Sequence, residues 1–111
     1  MNSINLSGHI DSEPRLLGMP GRDVCEFWLA VHDGRKEYTL HLKVLTFRAM
    51  AVKVAERLSE GDWVAVGGYL RSQPWGTGRR RRHYEHTLTA RHVDFGDRLR
   101  GEESRRDGGS R

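Results

Sequence analysis

The chain has 111 residues, and 19 basic against 15 acidic side chains leave a formal charge of +4. That length holds one small domain and excludes a two-domain enzyme closing on an interdomain cleft. No apolar run approaches the ~18 residues of a membrane-spanning helix. The single cysteine, Cys25, makes no internal disulfide and excludes Cys-rich zinc modules. The opening MNSINLSGHI has neither the basic nor the apolar block of a secretory leader, so a reducing, cytoplasmic and nucleoid-associated setting is expected.

Ile4, Leu6 and Ile10 share one parity, with Gly8 between them, and predict a first strand. Pro14 and Met19-Pro20-Gly21 punctuate the next stretch. Val24 to His32 reads as a second strand, with Phe27, Leu29 and Val31 on its apolar parity. Asp33-Gly34 signals a hairpin. A third strand follows from Glu37 to Leu45, with Tyr38, Leu40, Leu42 and Val44 on one face and Thr39, His41 and Lys43 on the other.

The period then changes. Ala49, Val52, Ala55 and Leu58 recur at three-residue steps among good helix formers, predicting a helix from Ala49 to Leu58 with Gly61 as its left-handed cap. Trp63 to Arg71 is a fourth strand, with Val64, Val66, Gly68 and Leu70 inward. Ser72 to Gly78 reads as a loop carrying Trp75, and His83 to Phe95 as a fifth strand whose parity slips between Ala90 and Val93, the mark of a bulge. Gly8, Gly67 and Gly68 fit tight coiling or close backbone approach. Beyond residue 96 the charged, Gly- and Ser-containing tail 97–111 lacks the apolar content to fold and is expected to be disordered.

Three strands, one helix and two strands, without βα alternation, predict an all-β domain over residues 1–96. The expected architecture is a five-stranded Greek-key barrel, the OB-fold, with a β-sandwich as the alternative.

Several segments resemble the bacterial single-stranded DNA-binding protein family. They are Asn5-Leu6-Ser7-Gly8-His9-Ile10 followed by Pro14, Phe27-x-Leu29-Ala30-Val31, Ala55 to Asp62, and Val64-x-Val66-x-Gly68-x-Leu70-Arg71 with Trp75 four residues on. The resemblance spans most of residues 3–95. It implies an OB-fold, sequence-independent binding of single-stranded DNA in replication, recombination or repair, and a homo-oligomer, usually a tetramer. His41 stands where the family carries an aromatic in its third strand. The family's acidic, apolar-tipped tail has no counterpart in Arg105-Arg106-Asp107-Gly108-Gly109-Ser110-Arg111, which argues against tail-mediated recruitment of repair proteins.

A sequence-tolerant binder of single strands needs cations for phosphates and rings for bases. Sixteen of the 19 cations are arginine, the side chain best shaped for phosphate. The candidate rings are Trp75, in a polar loop; Phe47, a match to a family aromatic that suits stacking or core packing equally; and Tyr69, on the outward parity of the fourth strand. The candidate cations are Lys43, Arg48 and Arg71, together with the run Arg79, Arg80, Arg81 and Arg82, whose alternative role is a solvated tip that blocks edge pairing. His41 shares the Lys43 face and suits either stacking or a solvated surface. Trp28 and Trp63 suit a subunit interface, and Tyr84 is open to either use.

Catalysis is not expected. Gly76-Thr77-Gly78-Arg79 lacks the end of a P-loop, no G-x-S-x-G occurs, and Cys25 lies in an apolar strand as a core thiol. His83, His86 and His92 lack the cysteine or carboxylate company of a metal site, so neither metal nor cofactor is expected. Two other readings stand beside DNA binding: a primosome-type protein-interaction module, and an RNA-binding OB domain, since stacking alone does not tell RNA from DNA.

Overall fold

Alternating apolar residues need a closed surface to bury against, and a barrel supplies one without leaving long free edges. The computed structural model describes residues 1–18, 21–32, 34, 38–75 and 83–96, with the backbone alone described for 73–75 and 83. The elements are β1 (Ile4–Ile10), β2 (Arg15–Leu17), β3 (Val24–His32), β4 (Thr39–Phe47), α1 (Arg48–Arg57), β5 (Trp63–Trp75) and β6 (His83–Phe95). The tail 97–111 lies outside the described residues.

The sheet runs β1-β5-β6-β4-β3-β2, and a further β1–β3 pairing (His9 with Ala30, Ile10 with Leu29) closes five strands into a barrel. All pairs are antiparallel except β4 with β6, which run parallel through Lys43–Thr87, Val44–Leu88 and Leu45–Thr89. This is the OB-fold barrel that the strand pattern predicts, with β2 added at the edge. The barrel is filled by Cys25, Phe27 and Leu29 of β3, Leu42 and Val44 of β4, Val64 and Val66 of β5, and Leu88 and Ala90 of β6. Full burial of a Leu, Val or Phe side chain contributes about 1.5–3 kcal/mol. Thr46 joins this interior, its hydroxyl donating to the Cys25 carbonyl at 2.9 Å.

Three strands differ from the sequence reading. β2 carries no burial signal, because all three of its residues are exposed, and only its pairing with Val24–Glu26 defines it. The third predicted strand is displaced two residues toward the C-terminus, ending at Phe47. The fourth predicted strand continues through Trp75, so Ser72 to Trp75 belong to β5 rather than to a loop.

The helix buries Ala51, Val54 and, just past its end, Leu58, while Ala49 is exposed. At about 100° per residue, steps of three drift around the axis, so Ala49 and Leu58 point to opposite sides. Positions 51, 54 and 58 keep one face and close the barrel's end against β3 and β4. Gly61 is left-handed (φ 96°), but three residues beyond the Leu58 cap. It turns the chain into β5, its N–H donating to the Ile10 carbonyl at 2.8 Å.

The predicted bulge is present. Gly68 pairs with Ala90 and Gly67 with His92, leaving Arg91 as the extra residue.

Cys25 is fully buried, and burial, reinforced by the Glu26 carboxylate, pushes its thiol from 9.0 up to about 11. Because the folded value is the higher one, the neutral thiol favours the fold below pH 9, and this contribution is lost as pH rises toward 11. Iodoacetamide at pH 8 is therefore expected to leave native Cys25 unmodified and to alkylate it only after unfolding, as mass spectrometry would show.

Candidate nucleic-acid interface

Residues two apart on a strand share a face, and cross-strand register aligns those faces into rows. One row runs Glu26–Leu45–Thr89–Tyr69 across β3, β4, β6 and β5, and the next runs Trp28–Lys43–Thr87–Arg71. Thr87 and Thr89 are only 2% and 6% exposed although they lie on the outer parity of β6. They are short, and the larger residues on β4 and β5 rise on either side of them. The result is a trough with a threonine floor. Neither threonine hydroxyl has a partner among the described residues.

At one end the trough opens into a cleft of about 650 Å³. Phe47, Arg48, Tyr69 and Arg71 line it, joined by Arg22 and Asp23 from the turn before β3 and by Thr89 below. The junction of β4 with α1 explains how Phe47 and Arg48 come to be there. Arg48 takes a left-handed conformation (φ 58°), rare outside glycine, with its N–H donating to the Asp23 carbonyl at 2.9 Å. The chain therefore swings sharply from strand to helix at the cleft. Phe47 is 38% exposed, so it is not a core residue. Three guanidinium groups against one carboxylate make the cleft strongly cationic.

The other predicted residues are placed differently. Lys43 is held by Glu85, with Nζ 3.0 Å from Oε2, and lies 3.9 Å from Glu26 and 5.7 Å from the Trp28 ring centroid. Its charge is thus shared among carboxylates within the trough. His41 pairs with Asp11 through Nδ1 and Oδ2 at 3.1 Å. Trp28, suited by its parity to an interface, stands in the same row as Lys43 and Arg71. Trp63 lies elsewhere, edge-on to His9 at 4.8 Å. Tyr84 is exposed on β6. Trp75 occupies the last position of β5, opposite His83. Arg79 to Arg82 fall outside the described residues.

Two arginines were not singled out by sequence. Arg22 sits in a stretch with no periodicity, and nothing in the pattern marks it. Arg91 had a signal, since it falls inside the predicted parity slip.

A closed five-stranded barrel of this order, with one helix between β4 and β5, defines the OB-fold class. Residues 1–96 match the single-strand binding protein family, and the chain belongs to that family. It is 35% identical over 86 residues to proteins named single-stranded DNA-binding protein 2 from two strains of Tropheryma whipplei, Twist and TW08/27, covering 68% of this chain. The chain spans 58% of the length of those relatives. The crystal structure of a small single-stranded DNA-binding protein from Streptomyces coelicolor shares the fold, with a TM-score of 0.71 at 21% identity over 86% of this chain and 95% of that one. The family is one of binding proteins, not enzymes. Among the described residues no three His, Cys, Asp or Glu side chains group as a metal requires, and no helix is long and apolar enough to cross a membrane.

Proposed function

We propose that this chain binds single-stranded DNA without sequence preference, in support of replication, recombination or repair. The observation that carries this reading is the convergence of Phe47 and Tyr69 with Arg22, Arg48 and Arg71 on one cleft. Unpaired strands offer a charge at every phosphate and a π-face on every base, and a site of this composition meets both without reading base edges. The strand runs from the cleft along the trough past Arg71 and Trp28. Trp75 as a stacking ring and Arg79 to Arg82 as phosphate-binding cations belong to this reading on their chemistry alone. Family likeness favours a homo-oligomer, with a tetramer first.

Lys43 joins the track only when a phosphate displaces Glu85. Glu85→Gln is therefore expected to tighten binding about two- to fivefold and to steepen the salt dependence, because it frees a cation and removes a repelling carboxylate. An unchanged affinity and slope would place Lys43 off the track.

The deciding experiment titrates oligo-dT into the protein and follows tryptophan fluorescence at several salt concentrations. Quenching is expected, with log K falling against log salt by about 0.7 per phosphate contacted. A matched oligo-rU arm separates the RNA reading, which predicts the tighter binding there. A protein-interaction module would show neither quenching nor salt dependence. A mass measurement on the same samples reports the subunit count.

A further inference from the structure

Arg91 is the one residue of the β5–β6 ladder with no partner across the sheet. A bulge of this kind re-aims the side chain it carries. Here it brings the Arg91 guanidinium carbon to 4.9 Å from the centroid of the Tyr69 ring, inside the ~6 Å range of a cation–π contact. Arg91 is exposed and makes no ion pair with a carboxylate among the described residues. That sets it apart from Lys43, which lies 5.7 Å from the Trp28 ring centroid but is paired with Glu85 at 3.0 Å. Tyr69 lines the cleft, whereas Arg91 does not. The ring therefore both contacts a guanidinium and lines the cleft.

We propose that Tyr69 and Arg91 form a preorganised base-stacking subsite, in which Arg91 is a positioning residue. It covers the back of the ring and holds its rotamer, leaving one face for a single nucleobase entering from the cleft. The inference rests on the single-strand reading above. A free, half-buried tyrosine loses rotamer entropy when it stacks, and a ring fixed in advance has less left to lose. The bulge is then a functional device as well as a correction to barrel curvature. Arg91 acts through the ring, so it makes no phosphate contact of its own.

The test uses the full chain with Arg91→Ala and Arg91→Lys, each in the native and in a Tyr69→Leu background, titrated with oligo-dT over a range of salt. Arg91→Ala is expected to weaken binding about two- to fivefold, the scale of an exposed cation–π contact, with an unchanged salt slope. Arg91→Lys should stay near the native affinity. In the Tyr69→Leu background, Arg91→Ala should cost nothing further. In the DNA-free protein, the Arg91 δ-methylene protons should be shifted upfield by the ring, and Tyr69→Leu should abolish that shift. The same loss in both backgrounds would overturn the proposal, as would full affinity in Arg91→Ala. A slope reduced by about 0.7 would also overturn it, by making Arg91 a phosphate ligand. If the unsubstituted chain ignores oligo-dT at low salt while the upfield shift is present, the single-strand reading itself has failed, and the subsite falls with it.

Discussion

Gly68→Ala is expected to destabilise the protein by about 3 kcal/mol, lowering its melting temperature by roughly 12–24 °C. A β-carbon at Gly68 would be driven into the Thr89 carbonyl, with the Thr89 carbonyl carbon at 2.9 Å and the Ala90 Cα at 3.0 Å. Every one of these atoms is backbone, so no side chain can swing aside. Relief requires β5 and β6 to separate where Gly68 pairs with Ala90, next to the bulge. The same two strands supply Tyr69, Arg71, Thr87, Thr89 and Arg91, so binding should weaken along with stability. Gly61→Ala is the control. Its β-carbon meets nothing within 4 Å, and its cost is confined to the left-handed backbone, about 1 kcal/mol. Denaturant titration of both variants measures the difference. A Gly68→Ala protein within 1 kcal/mol of the native one would mean that the seam is loose there, contrary to the packing described.

What could be read from sequence follows from how burial imprints itself. β1, β3 and β6 match their predicted bounds because each alternates apolar and polar residues over a half-buried surface. The slip between Ala90 and Val93 was visible because one extra residue reverses parity, and reversal shows in the pattern. β2 was invisible for the opposite reason: Arg15, Leu16 and Leu17 are all exposed, so their pairing with β3 leaves no hydrophobic trace. The helix stripe was misread because alanine fits either face. Ala49, Ala51 and Ala55 do not discriminate, and Val52, which is only half-buried, matches the fully buried Val54 in size, so local pattern could not choose between them.

The site was legible residue by residue but not as an assembly. Phe47, Arg48, Tyr69 and Arg71 were each identifiable from parity or family likeness, yet nothing in the chain order says that they share one cleft. That depends on the parallel β4–β6 pairing, which links Leu45 to Thr89 across more than forty residues of sequence. Charge was also misjudged in one respect. Lys43 reads as a free cation in sequence, but Glu85 lies far along the chain and reaches it only through the same pairing. Long-range register is the information that local periodicity does not carry.

Phe47→Ala and Tyr69→Ala are each expected to weaken oligo-dT binding by about 1–3 kcal/mol, roughly 5- to 150-fold, with little change in stability. Neither ring belongs to the core: Phe47 is exposed and Tyr69 half-buried. The double variant decides how the strand lies. Phe47 on β4 and Tyr69 on β5 have β6 between them, and Phe47 sits one row beyond Leu45, which aligns with Tyr69. Two strand spacings and one pleat step separate their backbones by about 12 Å, too far for both rings to close on one base without large side-chain tilt. The two losses should therefore add to within about 0.5 kcal/mol, as expected for rings that stack different nucleotides. A coupling above about 1 kcal/mol would instead put one base between both rings and shorten the strand path. Two single variants with native affinity would remove the cleft from the path entirely.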